Sequence, residues 1–171
     1  MDLKQYIRDV PDFPVEGILF RDITPLLREP SAYAFALEQM TERVRSLRPE
    51  AIVAIESRGF IFGSPIATRL RLPFVPVRKP GKLPAEHMTI EYALEYGNSQ
   101  LDIHADALTN GQRAVIIDDL LATGGTAHAA AKLVELVGAE VVGIVFLIEL
   151  AALGGRSRLA GYDVHSFVVY E

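Results

Sequence analysis

Two adjacent carboxylates, Asp118 and Asp119, stand between the apolar run Val115-Ile116-Ile117 and the small-residue stretch Ala122-Thr123-Gly124-Gly125-Thr126. The β-branched run has the character of a strand covered on both faces, so the acids fall at a strand's carboxyl end. The stretch from Ala122 to Thr126 lets a ligand approach the main chain, and its glycines tolerate positive φ. An Ala-rich helical pattern follows from Ala127 through Ala130, Ala131, Val134 and Val137. Its first turn points unpaired N–H groups and a positive dipole end into the loop, which makes an anion site. The chemistry on offer is therefore phosphate binding by backbone beside hydroxyl binding by carboxylate.

Two more polar groups belong with this stretch. Ala51-Ile52-Val53-Ala54-Ile55 reads as a buried strand, and Glu56-Ser57-Arg58-Gly59-Phe60 follows it. Phe74-Val75-Pro76-Val77 reads as an edge or irregular strand because of its proline, and it runs into Arg78-Lys79-Pro80-Gly81-Lys82, three cations in five residues. The net charge is −5, so a polyanionic ligand needs cations gathered locally, and Arg58 with the 78–82 cluster supplies them. The same negative total argues against nucleic acid or an anionic membrane as partner.

The elements that must position these groups alternate. Residues 2–9 have room for one or two helical turns before Pro11 and Pro14. Gly17-Ile18-Leu19-Phe20 is too short to be assigned to a sheet, and with Arg21-Asp22 it forms an apolar arm suited to a ligand lid. Ser31 is expected to cap a helix to about Leu47, ended by Pro49. A second helix spans about Gly59 to Leu70. Residues 88–103 alternate in polarity as a hairpin does, turning at Gly97-Asn98, with a short helix at 104–108 and a turn at Asn110-Gly111. Val141 to Ile148 is the longest buried strand, with Glu149 and Leu150 at its end, and a last strand covers about Val164 to Val169. Alternating strands and helices from residue 51 onward predict an α/β fold with a mostly parallel central sheet flanked by helices.

The 171 residues match one domain at about 100–200 residues per domain. There is no cysteine, which excludes disulfides and thiolate metal sites and fits a cytoplasmic protein. No apolar run approaches the roughly 18 residues of a spanning helix. No Walker A loop and no G-x-G-x-x-G fingerprint is present. The four histidines show no metal-ligand spacing. Asp118 and Asp119 diverge on an extended segment, so a metal bridged by substrate suits them better than a metal held by both.

The run of apolar residues, two acids and Ala-Thr-Gly-Gly-Thr resembles the phosphoribosyl-pyrophosphate loop of the type I phosphoribosyltransferases. Four further stretches resemble the adenine phosphoribosyltransferase family within them: Pro11 to Leu27, Glu56 to Phe60, Arg78 to Pro84, and Tyr92-Ala93-Leu94-Glu95-Tyr96-Gly97. The resemblance implies one phosphoribosyltransferase domain over 1–171, with a hood at about 1–30 and a flexible ribbon lid at about 84–104. It implies conversion of adenine and 5-phosphoribosyl 1-pyrophosphate to AMP and pyrophosphate by a homodimer, with Mg²⁺ bound mainly through phosphoribosyl pyrophosphate. Asp118 and Asp119 then take the ribose, and Ala122, Thr123, Gly124, Gly125 and Thr126 the 5-phosphate. Ser57, Arg58, Arg78, Lys79 and Lys82 take the pyrophosphate. Leu19, Phe20, Arg21 and Leu150 take adenine, Glu95 is the catalytic acid or base, and Tyr96 belongs to the lid. The family also implies a cis peptide at Glu56–Ser57. Two rival readings share the loop: a transferase for another base such as xanthine, and a non-catalytic sensor of phosphoribosyl pyrophosphate or a purine, for which a DNA-binding segment is expected but not found.

Overall fold

The computed structural model describes residues 1–94 and 97–171, which form two compact units, Met1–Gln39 and Met40–Glu171. In the first unit, residues 2–9 make only a single 3-10 turn, Leu3–Tyr6, capped by the Asp2 carboxylate, which accepts from the Lys4 N–H at 3.0 Å. The chain is extended again from Arg8, ahead of the prolines. Strand β1 (Arg8–Pro11) pairs antiparallel with β2 (Leu19–Asp22), so the arm read as a lid loop is one side of a hairpin. Phe13 and Phe20 meet edge to face at 5.1 Å, and Arg21 and Arg8 pair with Asp9 and Asp22 across the ladder. Helix α1 (Thr24–Arg28), not anticipated from sequence, has Pro25 in its first turn, where a missing N–H costs nothing. Helix α2 (Pro30–Ser46) starts ahead of Ser31, which is therefore inside the helix. The Glu29 carboxylate does the capping instead, accepting from the Ser31 hydroxyl at 2.7 Å and its N–H at 3.3 Å.

In the second unit, β3 (Ala51–Ile55) leads into α3 (Arg58–Leu70), β4 (Phe74–Val77), the pair β5 (His87–Leu94) and β6 (Gly97–His104), then β7 (Arg113–Leu121), α4 (Gly125–Leu136), β8 (Glu140–Leu150), α5 (Gly155–Arg158) and β9 (Val164–Tyr170). Five strands form one sheet in the order β4-β3-β7-β8-β9, every pairing parallel. The expected α/β class and parallel sheet are what the chain adopts. Pro76 sits on the edge strand β4, where its missing N–H is tolerated.

Alternation along β3 sends neighbouring residues to opposite faces. Val53 and Ile55 join the core with Ala130 and Val134 of α4, whereas Ala54 meets Gly63 of α3 so closely that a Cβ there would lie 2.5 Å from the Ala54 Cβ. The two helices therefore cover opposite faces.

Two further expectations are corrected. Gly97 and Asn98 are not the hairpin turn; they pair with Leu94 and Ala93 within the ladder. Residues 104–108 form a turn closed by the Ala107 N–H on the His104 carbonyl at 3.1 Å, not a helix. As expected, the acids fall near the carboxyl ends of their strands: β7 runs on through Asp118–Asp119 to Leu121, and β8 through Glu149 to Leu150. The ribbon's inner residues Leu101 and Ile103 are fully buried and, with Met88, Ile90 and Tyr92, pack on the same core as α4.

Candidate active site

Parallel strands β3 and β7 are neighbours, and just past the carboxyl end of β3 and beside that of β7 lies a cleft of about 340 Å³. Outside the carboxyl ends of a parallel sheet is where such folds bind ligands. The cleft is lined by Ile55, Glu56, Ser57 and Arg58 from the β3–α3 turn, Lys79 from the basic loop, Asp118 to Leu121 from β7, and Ala122 to Ala127. The Glu56–Ser57 peptide is cis, as the family resemblance implied.

Asp119 is buried and receives the Arg58 Nε at 2.5 Å. Asp118 accepts the Asp119 N–H at 2.9 Å. Burial, and then the neighbouring Asp119 charge, push the Asp118 carboxyl well above the usual carboxylate range. The acid pair is thus held by one guanidinium and remains short of positive charge.

The small-residue loop ends in Gly124 at φ +81°, and α4 begins at Gly125, two residues earlier than the apolar pattern indicated. The left-handed residue leads straight into α4, whose first turn has no side-chain cap on its N–H groups and lines the cleft, the arrangement that favours an anion. The Tyr92 hydroxyl of the ribbon lies 3.3 Å from the Thr126 hydroxyl. Gly59 comes so close to β7 that a Cβ on it would lie 2.8 Å from the Ile117 carbonyl oxygen.

Glu56 organises the basic loop, a role its sequence position does not reveal. Its carboxylate receives Lys82 Nζ at 2.7 Å, the Lys79 N–H at 2.8 Å and Arg78 Nη2 at 3.3 Å. Burial alone would raise this carboxyl, but Lys82, the Lys79 N–H and Arg78 together bring it down to about 2. A depressed carboxyl stabilises the fold above its ordinary value of 4.5, and this contribution is lost as the pH falls toward about 2. The melting temperature of Glu56→Gln should therefore lie below that of the unsubstituted protein at pH 6, with the gap closing between pH 4.5 and 2.5. A gap independent of pH in thermal melts would show that the carboxylate charge does not hold the loop.

The cleft brings together Ser57, Arg58, Lys79, Asp118, Asp119 and the loop from Ala122 to Thr126. Arg78 and Lys82 are not among its lining residues; both are engaged on Glu56. Leu150 ends β8, paired with Tyr170. Leu19, Phe20 and Arg21 lie in β2 of the first unit. Glu95 and Tyr96 lie outside the described residues. The pair of Glu149 with Arg156, at 2.5 and 3.0 Å, went unseen in the sequence; the only signal was a lone acid ending an apolar strand, seven residues before an arginine.

The geometry agrees with comparisons to known proteins. Residues 27–170 match the model of the phosphoribosyl transferase domain. The adenine phosphoribosyltransferase of Carboxydothermus hydrogenoformans is 57% identical over 170 residues, covering 99% of this chain and 100% of the relative. A crystal structure of adenine phosphoribosyltransferase from Thermoanaerobacter pseudethanolicus superposes with a TM-score of 0.96 at 52% identity, over 98% of both chains. The Saccharomyces cerevisiae enzyme, complexed with an imino-altritol bisphosphate and adenine, superposes with a TM-score of 0.91 at 39% identity over 97% of this chain and 96% of its own. The chain belongs to the phosphoribosyl transferase domain family, among its adenine phosphoribosyltransferases.

Proposed function

We propose that this chain transfers the 5-phosphoribosyl group of phosphoribosyl pyrophosphate to adenine, giving AMP and pyrophosphate. The observation that carries the reading is the single cleft in which an acid pair, a phosphate loop and an arginine-bearing turn converge. The phosphate loop, residues 122–126, holds the 5-phosphate, and Asp118 and Asp119 accept hydrogen bonds from the ribose hydroxyls. Ser57, Arg58 and Lys79 receive the pyrophosphate. Arg78 and Lys82 join them by exchanging Glu56 for the incoming anion. From the family resemblance we assign adenine to Leu19, Phe20, Arg21 and Leu150, proton acceptance from the base to Glu95, and closure to Tyr96.

As the bond from ribose to pyrophosphate breaks, negative charge grows on the leaving group while positive character grows on the ribose. Fixed cations near the first and carboxylates near the second stabilise the transition state more than the ground state. Among the described residues, no group of three or more His, Asp or Glu side chains could hold a metal ion. That donor set fits Mg²⁺ carried in on the pyrophosphate oxygens, where it would neutralise leaving-group charge. No helix among the described residues is long and apolar enough to cross a membrane. We place the enzyme in the cytoplasm as a homodimer, on its lack of cysteine and its family resemblance.

The test is AMP formation from phosphoribosyl pyrophosphate and each of adenine, hypoxanthine, guanine and xanthine, with and without Mg²⁺. Adenine should be turned over with a kcat/KM at least about 10²-fold above the others, because a site built to hydrogen-bond a polar substrate edge rejects analogues that leave its groups unpaired. Turnover of xanthine in preference, or binding of phosphoribosyl pyrophosphate without product, would replace this reading by one of its rivals.

A further inference from the structure

Behind the phosphate loop lies a second turn to which the reaction as described gives no part. After β8, residues 151–153 make a 3-10 turn and Gly154, at φ +66°, redirects the chain into α5. Gly155, the first residue of α5, is buried against the loop. A Cβ built on Gly155 would collide with the Ala122 carbonyl oxygen, and would lie 2.9 Å from both the Gly124 nitrogen and the Leu121 Cδ1. The reverse also holds, since a Cβ on Gly124 would lie 2.5 Å from the Gly155 carbonyl oxygen. Backbone therefore packs on backbone, and even if the Leu121 side chain gives way, the Ala122 carbonyl and Gly124 nitrogen remain in the path of a Cβ.

The turn is itself held from behind. Arg156 places Nε and Nη2 on the two oxygens of the buried Glu149 at 3.0 and 2.5 Å, and donates Nη1 to the Val164 carbonyl at 2.9 Å. A two-pronged guanidinium–carboxylate contact fixes direction as well as distance. It ties the residue after Gly155 to β8 and to the first residue of β9, both in the rigid sheet. Arg158 closes the other side, its Nη1 lying 2.9 Å from the position of a Cβ on Gly125.

We infer that Gly155, anchored through Arg156 to Glu149, is a positioning residue that sets the shape of the phosphate loop and with it the affinity for the phosphoribosyl half of the substrate. The inference rests on the reading of residues 122–126 as the 5-phosphate site. Leu150, assigned to adenine, is held in the sheet by its pairing with Tyr170. Loosening the turn should therefore leave the base half largely untouched.

Steady-state KM values for phosphoribosyl pyrophosphate and for adenine, measured for the unsubstituted enzyme, Gly155→Ala, Arg156→Gln and Arg156→Lys, test this. Gly155→Ala should raise the KM for phosphoribosyl pyrophosphate by about 10²-fold, the effect of an ångström-scale misplacement. Arg156→Gln should raise it by about tenfold, the loss of one charge-assisted contact, with Arg156→Lys between Gln and the native residue. The KM for adenine should stay within about twofold in all three, since its contacts do not change. Should Gly155→Ala fail to fold, Arg156→Gln decides alone. An unchanged KM for phosphoribosyl pyrophosphate in the folded variants, or an equal rise in both KM values, overturns the inference. Absence of AMP formation by the unsubstituted chain would instead overturn the functional reading beneath it.

Discussion

Asp118→Asn is expected to raise the melting temperature at pH 7 while lowering kcat/KM for phosphoribosyl pyrophosphate by about 10- to 10²-fold. The two effects share one cause. Burial and the adjacent Asp119 raise the Asp118 carboxyl well above its ordinary 3.8. A carboxyl raised in the folded state ionises more readily in the unfolded chain, so stability is lost as the pH rises from the ordinary value through the raised one, and the deficit persists above it. Asparagine keeps an oxygen to accept the Asp119 N–H, which Asp118 now accepts at 2.9 Å, and carries no charge to desolvate. Each kcal/mol recovered should raise Tm by about 2–4 °C in a domain of this size. The substrate loses a charged acceptor worth roughly 1.5–3 kcal/mol, and about 1.4 kcal/mol is tenfold in rate. Thermal melts at pH 3 and pH 7 separate the alternatives. The gain should be present at pH 7 and absent at pH 3, where the Asp118 carboxyl is protonated in the folded and mostly so in the unfolded chain. A variant less stable than its parent at pH 7 would mean that Asp118 is satisfied in the free protein and is not a site built at a cost to the fold.

That cost bears on what a sequence can reveal. Ala51–Ile55 and Val115–Ile117 are recognisable because a strand covered by helices on both faces can carry apolar residues at every position. The stretch 122–126 stands out because only small residues let a ligand reach the backbone. The reach of β7 through the acids to Leu121 is not legible, because it depends on pairing with β8, Asp118 opposite Phe146 and Leu120 opposite Ile148. The β1–β2 hairpin depends in the same way on Arg8 finding Asp22 across the ladder. Electrostatic partners are more hidden still. Arg78 and Lys82 read as cations awaiting an anion, yet each rests on Glu56, 22 and 26 residues away in the chain. Nothing in local composition marks an acid as the internal occupant of a basic loop. In the sequence the turn bearing Gly155 is no more than Gly154-Gly155 after Ala151-Ala152-Leu153, since its meaning lies in the backbone it touches and not in any side chain of its own.

Gly59→Ala is expected to destabilise the protein by about 1–3 kcal/mol, the usual cost of overpacking, and to cost about 10²-fold in kcat/KM, as ångström-scale misplacement does. Helix propensity alone points the other way, since alanine in place of glycine within a helix gains about 0.5–1 kcal/mol. Space decides the sign. Gly59 lies in the first turn of α3, and its Cβ would sit 2.8 Å from the Ile117 carbonyl oxygen and 3.0 Å from the Asp118 Oδ1. The first of these is sheet backbone, which cannot swing aside as a flexible side chain would. To admit a methyl group, the start of α3 must move away from β7, and Arg58 moves with it, away from the Asp119 it holds at 2.5 Å. One carbon atom would thus open the acid pair and displace Arg58, proposed to receive the pyrophosphate, together. Thermal melts and steady-state kinetics of Gly59→Ala check both halves. A variant more stable than its parent, with turnover intact, would show that α3 and β7 have room to spare at the point where the two halves of the site meet.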